Sequence, residues 1–372
     1  MKRIVILMIV LLLIGCFCFK CHAVESAMFE EDKSKIESGV DDHTKGELER
    51  FGISGIDDVV TDGIDSGSVW QYLSGLIAAY SHGPLAALIL LTAVLLLASV
   101  AESYTFSLRY TETRDIMGVV VSLFISSILI SPVTQLISSS QLVIQGASAM
   151  MTVYLPVMAG MMVFSGHAIS SGGYYAAVIT VSQLISRLSA TVFTPLLTVF
   201  LSLSVSASIS SRVRLGGFIE LASKGFKYGI ALMMSIFTAV IGLNGALSGV
   251  ADSVANKAAR FGLSSFIPLI GSSIAEAYSA IQNSVSVLRS GAGVFVIIAL
   301  FVSFAPLITQ SVLWSTTLWI AKSIGEMLSV TSASPIINAL SQFISALRAL
   351  LIAVMTVFII STSIMMSLGG RT

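Results

Sequence analysis

The feature that most constrains this chain is a series of long apolar segments from residue 69 to near its end. The clearest, residues 85–101, contains no charged side chain, and a helix needs about 20 apolar residues to cross a bilayer. Only 11% of all residues are charged, whereas soluble domains carry about 25%. These observations argue against a soluble enzyme, a nucleic-acid-binding protein and a disordered chain, and they predict an all-α polytopic membrane protein.

The N-terminus has the pattern of a secretory signal peptide. Lys2 and Arg3 precede the apolar residues 4–19, and small side chains stand at −3 and −1 of a cleavage site after Ala23. We therefore predict a signal peptide over residues 1–23. An uncleaved anchor helix and a lipoprotein signal at Cys16 are the alternatives. All three cysteines lie in this segment, so cleavage would leave no thiol for a disulfide or a zinc site.

Residues 24–68 are predicted to be an acidic exported segment. They carry 13 acidic and four basic residues, and a segment of this size builds little core alone. One amphipathic helix is expected within residues 48–60. We favour a solvated arm over docking on a partner, because runs of charge usually face water. Residues 69–372 then form the polytopic helical membrane domain.

About seven to eight transmembrane helices are predicted in that domain. A Ser/Gln-rich stretch at 138–145 is expected to separate two of them, at 116–137 and 147–164. The apolar block 174–210 is too long for one span, and it predicts a hairpin turning near 187–191. With this hairpin, the positive-inside rule places the most basic loop in the cytoplasm. Its candidate contact residues for a cytoplasmic partner are Arg212, Arg214, Lys224 and Lys227.

An amphipathic or re-entrant hairpin is predicted near residues 251–290. Two amphipathic helices flank the apolar sequence FIPLIG at 266–271. Re-entrant segments often line pores, where protein or water satisfies the backbone, whereas an interfacial hairpin would only pack. Both interpretations stay open. Phe266, Pro268 and Gly271 are the candidate residues for a pore or a partner contact.

Two arginines in the apolar segments are further candidates for a pore or partner contact. Ionisable side chains inside a membrane are costly and are therefore often functional. Arg187 and Arg348 have this placement. Either side chain is also long enough to extend its charged group to the membrane surface.

The sequence predicts no catalytic, cofactor-binding or metal-binding residues. His43, His82 and His167 lie far apart without metal-ligand spacing. No Walker A, HExxH or GxSxG motif is present. The protein is therefore not expected to be an enzyme, and any energy source would belong to a partner.

Three sequence stretches resemble one known family. They are DSVANKAARF at 252–261, FIPLIG at 266–271 and AEA at 275–277. The chain resembles the stage III sporulation protein AE family of endospore-forming bacteria over essentially its whole length. The resemblance implies a membrane subunit of a channel or secretion-like complex that links mother cell and forespore. Its partners would be other membrane subunits of the stage III sporulation operon, including an ATPase and ring-forming subunits.

The same resemblance implies a location and a role. The protein would lie in the mother-cell-derived outer forespore membrane and support late forespore development, including late sigma factor activity. It would need no cofactor and no nucleic acid. A self-sufficient small-solute transporter or permease is the alternative, and it predicts inverted repeats with paired broken helices. Only residues 193–201 and 301–308 are faintly similar. A scaffold without a pore is a third interpretation.

Overall fold

The described part of the chain is built almost entirely from α-helices. The computed structural model describes residues 30–61, 66–107, 111–164, 168–199, 223–240, 271–330 and 332–367, and a few single positions between them. No strand occurs in these ranges. The helices are α1 (Glu30–Ser38), α2 (Asp42–Phe51), α3 (Ile56–Thr61), α4 (Ser66–Tyr80), α5 (His82–Ser107), α6 (Thr111–Phe164), α7 (Ala168–Leu188), α8 (223–240), α9 (Gly271–Met327) and α10 (Ser334–Ser367).

Helices α9 and α10 form an antiparallel pair at the centre of the bundle. Residues 295–300 of α9 are all buried, so this helix is covered by protein on every side. Gly293 of α9 lies so close to α10 that an added Cβ atom would overlap the Met366 side chain. A larger residue at position 293 would therefore force the Met366 side chain to move.

The turn between α9 and α10 has the hydrogen bonds of a Schellman motif. The N–H of Val330 donates to the Gly325 carbonyl at 2.9 Å, and the N–H of Ser329 donates to the Glu326 carbonyl at 3.2 Å. Ser329 has φ 59°, in the left-handed region that usually takes glycine. Val330 is buried beneath the turn.

The described residues contain five helices that are long and apolar enough to cross a membrane. The expected count of seven to eight is not confirmed. The candidate spans are His82–Tyr104, Ile116–Val163, Ser171–Val199, Ser290–Met327 and Ser334–Met366.

The expected break at residues 138–145 is wrong, because α6 is continuous through it. Ser138 and Ser140 donate their hydroxyl hydrogens to the backbone carbonyls of Thr134 and Leu136, at 3.2 and 2.6 Å. Serine in a helix interior can bond in this way to the carbonyl four residues earlier. The polar stretch is therefore compatible with an uninterrupted helix.

The hairpin expected near 187–191 is also wrong. The chain continues from α7 through a π-helical turn at Ser189–Phe193 and stays helical to residue 199. The N–H of Thr194 bonds to the Ser189 carbonyl, and the Thr194 hydroxyl donates to the same oxygen at 2.8 Å. A π-turn inserts an extra residue without reversing the helix, so the long apolar block does not fold back at that point.

The acidic N-terminal segment packs against the bundle over its described helices. Ile36, Val40, Leu48 and Phe51 are buried, whereas the acidic residues Glu31, Asp42 and Glu49 are exposed. An added Cβ at Gly39 would lie 2.9 Å from the Val153 Cβ of α6. The expectation of a solvated arm is therefore wrong for this region, because its amphipathic helices bury their apolar sides against the same chain.

The bundle has two halves along its length. We call the α5 half the part formed by α5 with residues 116–137, 312–327 and 334–348. The N-terminal half is the part formed by α1–α4 with residues 142–163, 290–311 and 349–366. Helix α6 runs through both halves and has 54 residues, which corresponds to about 81 Å at 1.5 Å per residue. A hydrocarbon core is only about 30 Å thick.

Contacts between helices fix this arrangement. In the α5 half, the Thr317 hydroxyl lies 3.4 Å from the Pro84 carbonyl oxygen, and the Ser99 hydroxyl donates to the Leu328 carbonyl at 3.1 Å. Later residues of α5 thus meet later residues of α9, and the two helices run parallel. In the N-terminal half, the Thr362 hydroxyl lies 3.9 Å from the Met151 sulfur.

Candidate functional site

Several residues singled out in the sequence lie outside the described residues. Phe266, Pro268, Arg212 and Arg214 are among them. The backbone of Gly271 begins α9. The second half of the expected hairpin is therefore continuous with the buried central helix. Whether the first half forms a re-entrant or an interfacial element remains a prediction.

The other basic candidates lie on separate helices. Lys224 and Lys227 are exposed at the beginning of α8, and Arg187 is exposed near the end of α7. Arg348 is half-buried on α10 and makes its described hydrogen bonds to α9. The structure thus separates Arg187 from Arg348 by helix and by exposure.

The Arg348 guanidinium is held by neutral oxygens. Its Nη1 donates to the Ser315 hydroxyl oxygen at 3.1 Å and to the Ser311 carbonyl oxygen at 3.4 Å. The Ser315 hydroxyl in turn donates to the same carbonyl at 2.8 Å. Across the described ranges, no carboxylate lies within ion-pair distance of Arg348. A half-buried cation is therefore held without an opposite charge, and this arrangement is costly.

A second polar contact lies where α2, α4 and α9 meet, and the sequence did not reveal it. The Tyr72 hydroxyl donates to Glu47 Oε2 at 2.9 Å and lies 3.3 Å from the Val302 carbonyl oxygen. The Arg50 Nη1 donates to the other Glu47 carboxylate oxygen at 2.7 Å. Glu47 and Tyr72 are both buried, and buried polar groups need such partners.

Pro306 explains why the Val302 carbonyl needs an outside neighbour. Proline has no N–H, so a proline in a helix leaves the carbonyl four residues earlier without its usual donor. Val302 is that residue. The Tyr72 hydroxyl has one hydrogen, and it lies close enough to serve either the Glu47 carboxylate or this carbonyl. The position of Pro306 indicated a free carbonyl, but nothing in the sequence indicated Tyr72 as its neighbour.

The surroundings of Tyr72 keep it in the protonated form. Burial, and then its hydrogen bond to the Glu47 carboxylate, raise the pKa of the Tyr72 phenol above its ordinary value. Its ring meets the Phe51 ring edge-on, with centroids 5.3 Å apart and planes at 79°. The phenol is therefore both packed and available as a donor.

The residues that the structure describes contain no group of three or more His, Cys, Asp or Glu side chains that would hold a metal ion. What they do contain is apolar helices, one half-buried arginine and one buried Tyr–Glu contact. These features define a polytopic α-helical membrane protein.

Comparison with known proteins gives the family. A family model described as stage III sporulation protein AE matches residues 55–369. The chain belongs to the stage III sporulation protein AE family, and the resemblance noted in the sequence is confirmed.

A curated relative supports this assignment. The chain is 21% identical over 232 residues to the stage III sporulation protein AE of Bacillus subtilis (strain 168). The match covers 62% of this chain and 57% of that relative, so it spans little more than half of the relative's length. No solved structure matches the chain significantly.

Proposed function

We propose that the protein is a non-enzymatic membrane subunit of the sporulation channel or secretion-like complex that links mother cell and forespore. The observation that carries this proposal is its membership of the stage III sporulation protein AE family over residues 55–369. In this role it supports late forespore development and late sigma factor activity. Its location is the mother-cell-derived outer forespore membrane.

The proposed partners are the other membrane subunits of the stage III sporulation operon, including an ATPase and ring-forming subunits. Lys224 and Lys227 are exposed on α8, which supports their assignment, with Arg212 and Arg214, to a cytoplasmic contact with the ATPase. Exposed basic side chains steer association with acidic surfaces. Phe266, Pro268 and Gly271, just before and at the start of α9, are proposed to line the pore or contact a partner.

A self-sufficient small-solute transporter is the second candidate. The half-buried Arg348 favours it, because ionisable side chains inside a membrane often mark the substrate pathway of a transporter. The two proposals differ in what the purified protein does alone. A transporter moves solute in vesicles without partners, whereas a complex subunit does not.

Co-purification from sporulating cells tests the proposed function. The tagged protein should recover the other operon-encoded membrane subunits and the ATPase. The double variant Lys224→Glu/Lys227→Glu should lower ATPase recovery several-fold, since it replaces attraction by repulsion. Lys45→Glu, which changes an exposed lysine on α2, is the matched control and should leave recovery unchanged. Recovery of the protein without these subunits, together with solute transport by the pure protein, would contradict the proposal.

A further inference from the structure

The outer side of α10 is polar, whereas α5 and α6 expose apolar side chains. Leu97 of α5 and Ile116 of α6 are both more than half exposed. Over residues 334–366 of α10, no large apolar side chain is exposed. Most of its partly exposed side chains between residues 338 and 356 are polar, namely Asn338, Ser341, Gln342, Ser345, Arg348 and Thr356. Spacings of three and four residues keep these six on one side of the helix, and we call them the polar face of α10.

The polar face lies on a helix that is apolar enough to cross a membrane. The candidate span is Ser334–Met366, with Arg348 near its middle. Serine, asparagine and glutamine side chains in spanning helices form hydrogen bonds to neighbouring helices. Within the part of the chain that the structure describes, the side chains of Ser341, Gln342 and Ser345 make no hydrogen bond. Their donors and acceptors are therefore available to a neighbouring molecule.

Arg348 adds a positive charge to this face. Its described hydrogen bonds use Nη1 alone, to the Ser315 hydroxyl and the Ser311 carbonyl, which are both neutral. A guanidinium has five N–H donors, so further donors remain. A cation in a spanning helix is costly and usually pairs with an opposite charge. A carboxylate suits this guanidinium, because the two groups can form two parallel hydrogen bonds.

A second copy of this chain does not fit as the source of the carboxylate. A two-fold contact centred on Arg348 would bring two arginines together. The described candidate spans contain two carboxylates, Glu102 and Glu326, and both lie near the end of their helix. Glu102 accepts a hydrogen bond from Ser332, and Glu326 pairs with Lys322 at 3.7 Å. A carboxylate at the depth of Arg348 is therefore expected on a different chain.

We propose that the polar face of α10 contacts a membrane-spanning helix of another subunit, and that Arg348 pairs with an aspartate or glutamate of that helix. This rests on the proposed function, because it requires a membrane complex, and it adds the surface and the chemistry of one contact. The Ser315 hydroxyl and the Ser311 carbonyl position the guanidinium. The small side chains of Ser341 and Ser345 allow a helix backbone to approach closely.

Site-specific photo-crosslinking in sporulating cells tests the contact. A photoreactive amino acid replaces Ser345, about one turn before Arg348, in the tagged full-length protein. It should form an adduct with another membrane subunit, and mass spectrometry should locate the link in an apolar helix that contains Asp or Glu. The same amino acid at Leu97, on the exposed surface of α5, is the control and should not form that adduct.

Charge reversal tests the role of Arg348. Arg348→Glu should lower recovery of the crosslinked subunit about tenfold or more, because attraction between buried charges becomes repulsion. Replacing the partner carboxylate by arginine should restore the recovery. Arg187→Glu changes an exposed arginine of α7 and should have no effect. If Arg348→Glu does not accumulate, Ser345→Phe, at a partly exposed position, should lower recovery by blocking close approach of the partner helix.

Three results would overturn this proposal while the wild type still recovers its partner subunits. The first is an adduct of residue 345 with this chain alone. The second is reaction of Ser345→Cys, in a chain whose own cysteines are replaced by serine, with a membrane-impermeant thiol reagent in the assembled complex, since the face would then line water. The third is unchanged recovery in both Arg348→Glu and Ser345→Phe. Failure of the wild type to recover any other subunit would instead overturn the proposed function.

Discussion

The hydroxyl of Tyr72 lies 3.3 Å from the carbonyl oxygen of Val302, the acceptor that Pro306 leaves without its usual helical donor. The two residues are 230 positions apart, and they join the N-terminal region to the central helix of the membrane domain. The same hydroxyl donates to the buried Glu47 carboxylate. The N-terminal helices are thus part of the bundle.

Replacing Tyr72 by phenylalanine should destabilise the protein by about 1–3 kcal/mol. The change keeps the ring against Phe51 but leaves the Glu47 carboxylate and the Val302 carbonyl without this donor, and buried unsatisfied groups cost about this much. Denaturant unfolding in detergent micelles measures the difference. Tyr228→Phe changes an exposed tyrosine and should have almost no effect. Equal stabilities of Tyr72→Phe and wild type would refute the role of the hydroxyl.

Pro306→Ala should reduce the cost of losing the Tyr72 hydroxyl. Alanine restores an N–H to residue 306, so the Val302 carbonyl regains a helical donor. Tyr72→Phe should therefore cost about 0.5–1.5 kcal/mol less in the Pro306→Ala background, within the range seen for residues that share a partner. A double-mutant cycle on unfolding free energies measures this coupling. Strict additivity would show that Tyr72 acts through Glu47 alone.

Gly293→Ala should destabilise the central helix pair by about 1–3 kcal/mol, the usual cost of overpacking. The new Cβ would overlap Met366, and it would lie 3.4 Å from the Tyr154 hydroxyl. Gly160→Ala is the matched control, because no atom lies within 4 Å of its added Cβ. That control should be neutral or slightly stabilising. Adding Met366→Ala to Gly293→Ala should restore part of the lost unfolding free energy. If it restores none, the destabilisation does not come from the overlap with Met366.

Ser329→Gly should stabilise the turn between α9 and α10 by about 1 kcal/mol. Ser329 holds φ 59°, and the left-handed conformation costs residues other than glycine roughly 1–2 kcal/mol. Gly52, at the end of helix α2, has φ 91°, so replacing this glycine by alanine tests the opposite change. Gly52→Ala should cost about 1 kcal/mol. Thermal unfolding of both variants should show opposite shifts, and shifts of the same sign would contradict the strain argument.

The sequence was sufficient for the class of protein and for the family. Low charge and long apolar segments required helices and a membrane, and the residues around 252–277 carried the family resemblance, which the family match confirms. These inferences depend on composition and local pattern. They do not depend on which distant segments meet.

Helix continuity was harder to predict, because hydropathy does not register hydrogen bonds to the helix backbone. Ser138 and Ser140 appeared to interrupt α6, yet their hydroxyls bond within the helix. The π-turn at Ser189–Phe193 likewise continues a segment that was expected to turn back. Docking of α1 and α2 was missed because charge runs usually indicate solvent, whereas here the apolar side of each helix determines the packing.

The central claim is that the N-terminal helices are built into the bundle of the working sporulation protein, and disulfide trapping tests it most directly. Gly39→Cys and Val153→Cys would be combined in a chain with Cys16, Cys18 and Cys21 replaced by serine. The Cβ positions at 39 and 153 lie 2.9 Å apart, so the two helices need to separate by only about 1 Å to reach the Cβ spacing of about 3.8 Å in a disulfide. Gly46→Cys with Val153→Cys is the control, since no atom lies within 4 Å of an added Cβ at Gly46.

Mild oxidation in sporulating cells should link 39 to 153 and leave the control pair unlinked, and cells with the linked protein should still sporulate. That result would show that the docked arrangement is the one that supports sporulation. Absence of the 39–153 link, or a loss of sporulation that is restored by reduction of the disulfide, would contradict the account.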